Sequence, residues 1–151
     1  MLVEVIAAIA VVGVGLAAFA SGIPVAAMAV SEGAQHSTAT FLAAARLEEV
    51  RGAEWRAEPA LDRLGLSIGP LVAPQLNGTI TFPDEAALAN PYAGFARRIR
   101  ILDCGLPPGC GAATSPLLRQ VTVTVAYRPV TASGLAASDK SVSLTTLVAQ
   151  R

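Results

Sequence analysis

The 151-residue chain is short of the residues from which catalytic and nucleic-acid-binding surfaces are built. Charged residues make up 15% and aromatics 5%, and eleven Lys and Arg balance eleven Asp and Glu, so the formal net charge is zero. A chain without a basic excess lacks the electrostatic footprint that nucleic acid requires. His36 is the only histidine, and no nucleophile motif surrounds any Ser or Cys. His36 therefore reads as a solvent-facing helix residue, and no enzyme activity, cofactor or metal site is expected. Only two cysteines are present, Cys104 and Cys110 in CGLPPGC, which excludes a multiply bridged scaffold. Their short Gly/Pro-rich spacer suits a local loop, and no other metal-ligand set lies nearby. They read as a disulfide, which places the domain outside the cytosol; a reduced, inert pair is the alternative.

The longest absence is of charge. From Val5 to Ser31 no side chain is ionisable, yet Glu4 stands at the head of the run. About twenty apolar residues cover the hydrocarbon core of a bilayer, so this segment is long enough to span one. It does not read as a secretory signal peptide: no basic stretch precedes it, and helical character continues past it. It is also unlike a plain anchor, because Ala dominates and Gly13, Gly15, Gly22 and Pro24 interrupt it. Small residues allow close helix approach. Each glycine lowers helix propensity by about 1 kcal/mol, and Pro24 removes a backbone donor. A weakened stretch between Gly13 and Pro24 is expected.

Beyond Pro24 the pattern turns amphipathic without a break. In SEGAQHSTATFLAAARLEEVRGAEW, Ala39, Ala43, Leu47 and Val50 recur at spacings of four and three, with Glu32, Arg46, Glu49 and Arg51 mainly off that stripe. Gly52 is the predicted stop. One helix of about fifty residues and ~75 Å results. The chain divides into an apolar helix (1–30), an amphipathic continuation (31–56) and a head (57–151).

In the head, EPALDRLGLSIGPLVAPQLNG is broken by Pro and Gly and reads as an irregular connector. Strands are predicted at Thr79–Phe82, Phe95–Leu102, Gln120–Tyr127 and Ser141–Val148. Val121, Val123, Val125 and Tyr127 share one face, and Val142, Leu144, Thr146 and Val148 repeat the device. The linking RPVTASGLAASDK reads as an exposed hairpin loop, and exposed Ser and Thr residues in the 131–143 stretch are candidate sugar carriers. The fold class is thus α+β, with the Ala39–Val50 stripe covering a small antiparallel sheet. Asn77-Gly78-Thr79 fits a glycosylation acceptor but reads better as a tight turn. Trp55 reads as a core plug under the helix end. Adjacent Glu48 and Glu49 face different ways and are no acid–base pair, while Arg97, Arg98 and Arg100 read as an edge-strand or solvent-facing cluster, the alternative being a contact for an acidic neighbour or a phosphate backbone.

The opening MLVEVIAAIAVVGVGLAAFA resembles the mature N-terminus of type IV pilins and pseudopilins. The resemblance covers the whole chain in plan, but only the first thirty residues carry a specific motif. It equates Glu4 with the family's glutamate, Gly13 with its helix-weakening glycine and Pro24 approximately with its proline. ARLEEVRGAEW resembles the matching stretch of minor pilins and secretion pseudopilins. What the resemblance implies is a pilin-like fold and a homopolymeric filament at the cell surface, used in adhesion or motility. The subunits would be held in the cytoplasmic membrane before assembly and handled by inner-membrane machinery and other pilins. Glu4 would then set subunit register by pairing with the methylated N-terminal amine of a neighbour, at or beside Met1. An acid in the first turn also suits the helix dipole, and a cation held against it offsets its cost of about 2.5–3.5 kcal/mol in lipid. Glu4 lies one residue nearer to Met1 than the family glutamate lies to its cleavage point, so either the mature terminus precedes Met1 or processing differs. In the filament, the Gly13–Pro24 stretch is expected to melt, lengthening the helix. A type II secretion pseudopilin or minor pilin, and a monomeric membrane-anchored binding domain, are the other readings.

Overall fold

The computed structural model describes residues 2–56, 61–107, 109–111, 113–129 and 138–151. Met1, Pro59 and the core of the expected hairpin loop at 130–137, with the candidate sugar carriers Thr131 and Ser133, lie outside the described residues, while the candidates Ser138, Ser141 and Ser143 are described and exposed.

One helix, α1 (Leu2–Gly52), dominates the chain. It runs unbroken through Gly13, Gly15, Gly22 and Pro24, so the weakened stretch expected there is helical in the single chain. This continuity holds although an interior proline costs about 3 kcal/mol and its neighbours Gly22, Ile23 and Val25 are weak helix formers; the hydrogen-bond ladder continues on both sides of it. Within the helix, hydroxyls bond back to the preceding turn: Ser21 donates to the Ala18 carbonyl, Thr38 to Ala34 and Thr40 to His36. At the C-terminal end the amide of Ala53 donates to the Val50 carbonyl, closing the last turn next to Gly52 as the sequence suggests.

The architecture is α+β, as read from the pattern. Two small antiparallel sheets follow the helix. The first is a hairpin of β1 (Gln75–Leu76) and β2 (Thr79–Ile80). Its two turn residues, Asn77 and Gly78, both have positive φ, at 50° and 80°. That is the geometry Asn-Gly adopts in a two-residue hairpin. The expected strand at 79–82 is shorter than predicted because Pro83 follows it and Phe82 turns into the core.

The second sheet has the order β3-β4-β5, all antiparallel: β3 (Phe95–Asp103), β4 (Leu118–Tyr127) and β5 (Lys140–Ala149). Register places Ile99 opposite Val123 and Val123 opposite Leu144. The period-two pattern is obeyed strictly in β4, where Val121, Val123, Val125 and Tyr127 are all buried. The opposite face is polar, with Thr122 bonded to Thr145 and Thr124 to Ser143 across the β4–β5 pair. The amphipathic half of α1 lies over β4 and β5. It buries Ala39, Leu42, Ala43 and Val50 completely or nearly so, with Leu47 partly covered. Two alanines at the centre of this contact let the helix axis sit close to the sheet. The β3 side of the same core is closed by the connector through Leu64 and Phe82.

Candidate functional site

The largest feature without a partner is the first half of α1. Every described residue from Leu2 to Val30 is exposed. These include Val5, Ile9, Val12, Leu16, Phe19 and Ile23, each more than half accessible. By length and composition this segment is able to cross a membrane. Those six side chains fall at spacings of four and three along one line, while Gly15, Ala18 and Gly22 lie together on another side of the cylinder. A Cβ added at Gly13, Gly15 or Gly22 would meet nothing within 4 Å. Packing within one chain therefore gives no steric reason for these glycines. Glu4 sits in the first turn, and up to Glu32 it is the only charged side chain of the helix.

The head shows how the chain treats charges it does mean to bury. Arg119 at the start of β4 makes two contacts of 2.8 Å with the Asp62 carboxylate. Its guanidinium carbon also lies 4.3 Å from the ring centroid of Trp55, a cation–π geometry. Asp62 Oδ1 further accepts from the amides of Leu64 and Gly65. Burial alone would raise the Asp62 carboxyl, but Arg119 and the Gly65 and Leu64 amides outweigh it and hold the pKa below the ordinary value. Gly65 has φ +67°, and a Cβ there would stand 2.7 Å from the Gln75 carbonyl oxygen, so glycine is required for the connector to fold against β1. The amide of Arg151 donates to the Trp55 carbonyl, tying the last residue to the end of α1. Trp55 is thus the core plug expected. The Asp62–Arg119 clamp was not foreseen, because nothing local marks residues 57 apart in sequence as partners.

The arginines lie on β3, an edge strand of the sheet as expected, but they are not one solvent-facing cluster. Arg100 is clasped by Asp84 at 2.7 and 2.8 Å and donates to the Pro70 and Leu71 carbonyls. This pairing lowers the Asp84 pKa and raises that of Arg100. Arg97 is held by Glu85 at 2.7 Å. Two of the three are therefore engaged within the chain, and Arg98 is the exposed one. Glu48 and Glu49 pair with Arg51 and Arg46 respectively, and Lys140 pairs with Glu32 across α1 and β5. His36 is exposed, as expected.

Cys104 and Cys110 form the disulfide, and both are buried. With Leu66, Ile68, Leu102 and Leu106 their loop borders a surface groove of about 380 Å³. Among the described residues, no three His, Cys, Asp or Glu side chains gather as a metal set. No family model, curated protein or solved structure matches this chain.

Proposed function

We propose that this protein is a structural subunit of a type IV pilus-like filament that polymerises through the first half of α1. The observation that carries the reading is the exposure of every described residue from Leu2 to Val30 on a helix continuous with the head. A surface this apolar requires a cover of similar chemistry, lipid before assembly and other helices after it. The head already has a closed core and its own disulfide, so it needs none of the first half for folding. Glu4 is the registration residue, pairing with the N-terminal amine of a neighbour, and Met1 marks the region of that amine. Before assembly the subunit resides in the cytoplasmic membrane; afterwards it belongs to a surface filament serving adhesion or motility. Gly13, Gly15, Gly22 and Pro24 mark where the helix opens when it leaves lipid.

The second reading, a pseudopilin of a secretion machine or a minor pilin, is favoured by the LEEVR stretch ending α1. Filaments sheared from the parent cells and analysed by mass spectrometry separate the two. Under the pilus reading this chain dominates the sheared fraction and carries a methylated N-terminus. Retention in the membrane fraction, or trace abundance among other subunits, supports the second reading and ends the first.

A further inference from the structure

The face of α1 turned away from the sheet carries one large apolar side chain that the head leaves bare. Phe41 is 63% exposed, although Ala39, Leu42 and Ala43 on either side of it are buried. Around it on the outer face lie Ser37, Ala44 and Ala45, small and exposed. The charges one to two turns further on, Glu48 and Glu49, are neutralised by Arg51 and Arg46 on the same helix. The face is therefore close to neutral as well as apolar. Val5, Ile23 and Phe41 follow one another at five turns of about 3.6 residues each, so Phe41 lies on the line of large side chains that runs up the first half.

Lipid does not account for Phe41. The hydrocarbon core takes about twenty residues, which the uncharged run ending before Glu32 fills. Phe41 lies about 16 Å beyond Val30 along the axis. Drawing it into the bilayer would bring Glu32 with it, at a cost of about 2.5–3.5 kcal/mol for a charge left unpaired there. Within the head, the sheet occupies the opposite side of the helix. A neutral helical face with one protruding ring matches another uncharged helix, and this chain contains one, residues 5–30.

We infer that Phe41 docks on residues 5–30 of α1 in a second copy of this chain. The inference rests on the filament reading and names a contact within it. Copies inserted in one membrane run parallel. At equal depth, Phe41 of one lies level with Phe41 of the other, not with residues 5–30. The contact therefore requires an axial offset of at least about 16 Å, the distance from Phe41 back to Val30. It is absent between two membrane-resident subunits and forms when one has risen out of the bilayer. Phe41 thus distinguishes the assembled from the waiting state.

The test replaces Phe41 by the photoreactive p-benzoylphenylalanine in the full chain, co-produced with the unsubstituted chain so that filaments form. Filaments shown by mass spectrometry to contain the substituted chain, and membranes of the same cells, are irradiated separately. The expected result is a covalent dimer in filaments, its adduct within residues 5–30 of the partner copy, and at least tenfold less dimer in membranes. An adduct to lipid, to the head or to another protein overturns the inference. So does equal dimer yield in membranes, or no adduct in filaments. In parallel, Phe41→Ala is expected to lower filament yield at least tenfold with an unchanged melting temperature of the head, and Phe41→Leu to restore most of it. Filaments of Phe41→Ala at normal abundance overturn the inference while the filament reading stands. If the unsubstituted chain makes no filaments, the filament reading itself fails, and this contact with it.

Discussion

The two halves of α1 belong to one helix and meet opposite fates. The first half is the more apolar, yet every described residue in it is exposed. The second half carries Glu32, Arg46, Glu48, Glu49 and Arg51, yet it supplies Ala39, Leu42, Ala43 and Val50 to the core. Burial therefore does not follow apolarity here; it follows the presence of a partner surface within the chain. The sheet offers one apolar face, and the amphipathic half fills it with two alanines at the closest approach. Among the described residues nothing covers the first half, and a surface this apolar calls for a cover.

Removing residues 2–29 is the largest test of this division. The shortened chain is expected to move from the membrane to the soluble fraction entirely. Its melting temperature is expected to stay within about 2 °C of the full chain's head transition, because surface positions contribute little. Loss of a cooperative transition, followed by circular dichroism, would show that the halves depend on each other. Within the head, the expected effects are set by how deeply each pairing is buried. Asp62→Ala leaves Arg119 buried without its carboxylate and is expected to cost about 3 kcal/mol. That corresponds to roughly 10 °C in melting temperature for a domain of this size. The pH dependence has a definite sign. The folded-state pKa of Asp62 is depressed, so its stabilisation is complete above about pH 4 and is lost as pH falls through the folded value. Acid titration of unfolding should show that loss in the native chain and a flatter profile in Asp62→Asn.

How much of this was legible in the sequence depends on how local the signal is. The helix, its stop at Gly52, the three long strands and their inward faces are all written in spacings of two to four residues. The Asn77-Gly78 turn is written in two letters, since only a few residues accept positive φ at both positions. The disulfide was legible because its two cysteines are separated by 6 residues with no competing ligands nearby. Leu42 escaped the predicted stripe, which followed Ala39, Ala43 and Leu47, because the sheet covers a wider arc of the helix than that single row. The Asp62–Arg119 clamp and the capture of Arg100 by Asp84 escaped because they depend on where the connector is laid against the sheet, and Pro- and Gly-broken segments carry no period that fixes their path. Gly13 and Pro24 invited a break that α1 does not show in the single chain; a local cost of about 3 kcal/mol does not by itself open a ladder that continues on both sides.

The disulfide is expected to matter less than the clamp. Closing so short a loop restrains the unfolded chain modestly, about 2 kcal/mol on the chain-entropy account. Cys104→Ser with Cys110→Ser should therefore lower the melting temperature of the head by less than Asp62→Ala, in non-reducing buffer. A larger loss would mean that the loop beside Leu66 and Leu106 is organising the connector rather than merely closing itself.

The smallest effect sharpens the rule within the head. Asp84, like Asp62, clasps an arginine through both oxygens, at 2.7 and 2.8 Å, but its side chain is 37% exposed against 11% for Asp62. Arg100 also keeps the Pro70 and Leu71 carbonyls when the carboxylate is removed, whereas Arg119 keeps the Trp55 ring but, for a hydrogen bond, only a 3.4 Å contact with Gly65. Asp84→Asn is expected to cost no more than about 1 kcal/mol, because solvent replaces much of what the pair supplied. Raising the salt concentration should shrink that cost further, while leaving the cost of Asp62→Asn nearly constant. Equal costs, or equal salt sensitivity, measured by denaturant unfolding of both variants would show that geometry rather than enclosure governs the two clasps. The rule drawn from the halves of α1, that the surroundings decide what a residue contributes, would then fail inside the head.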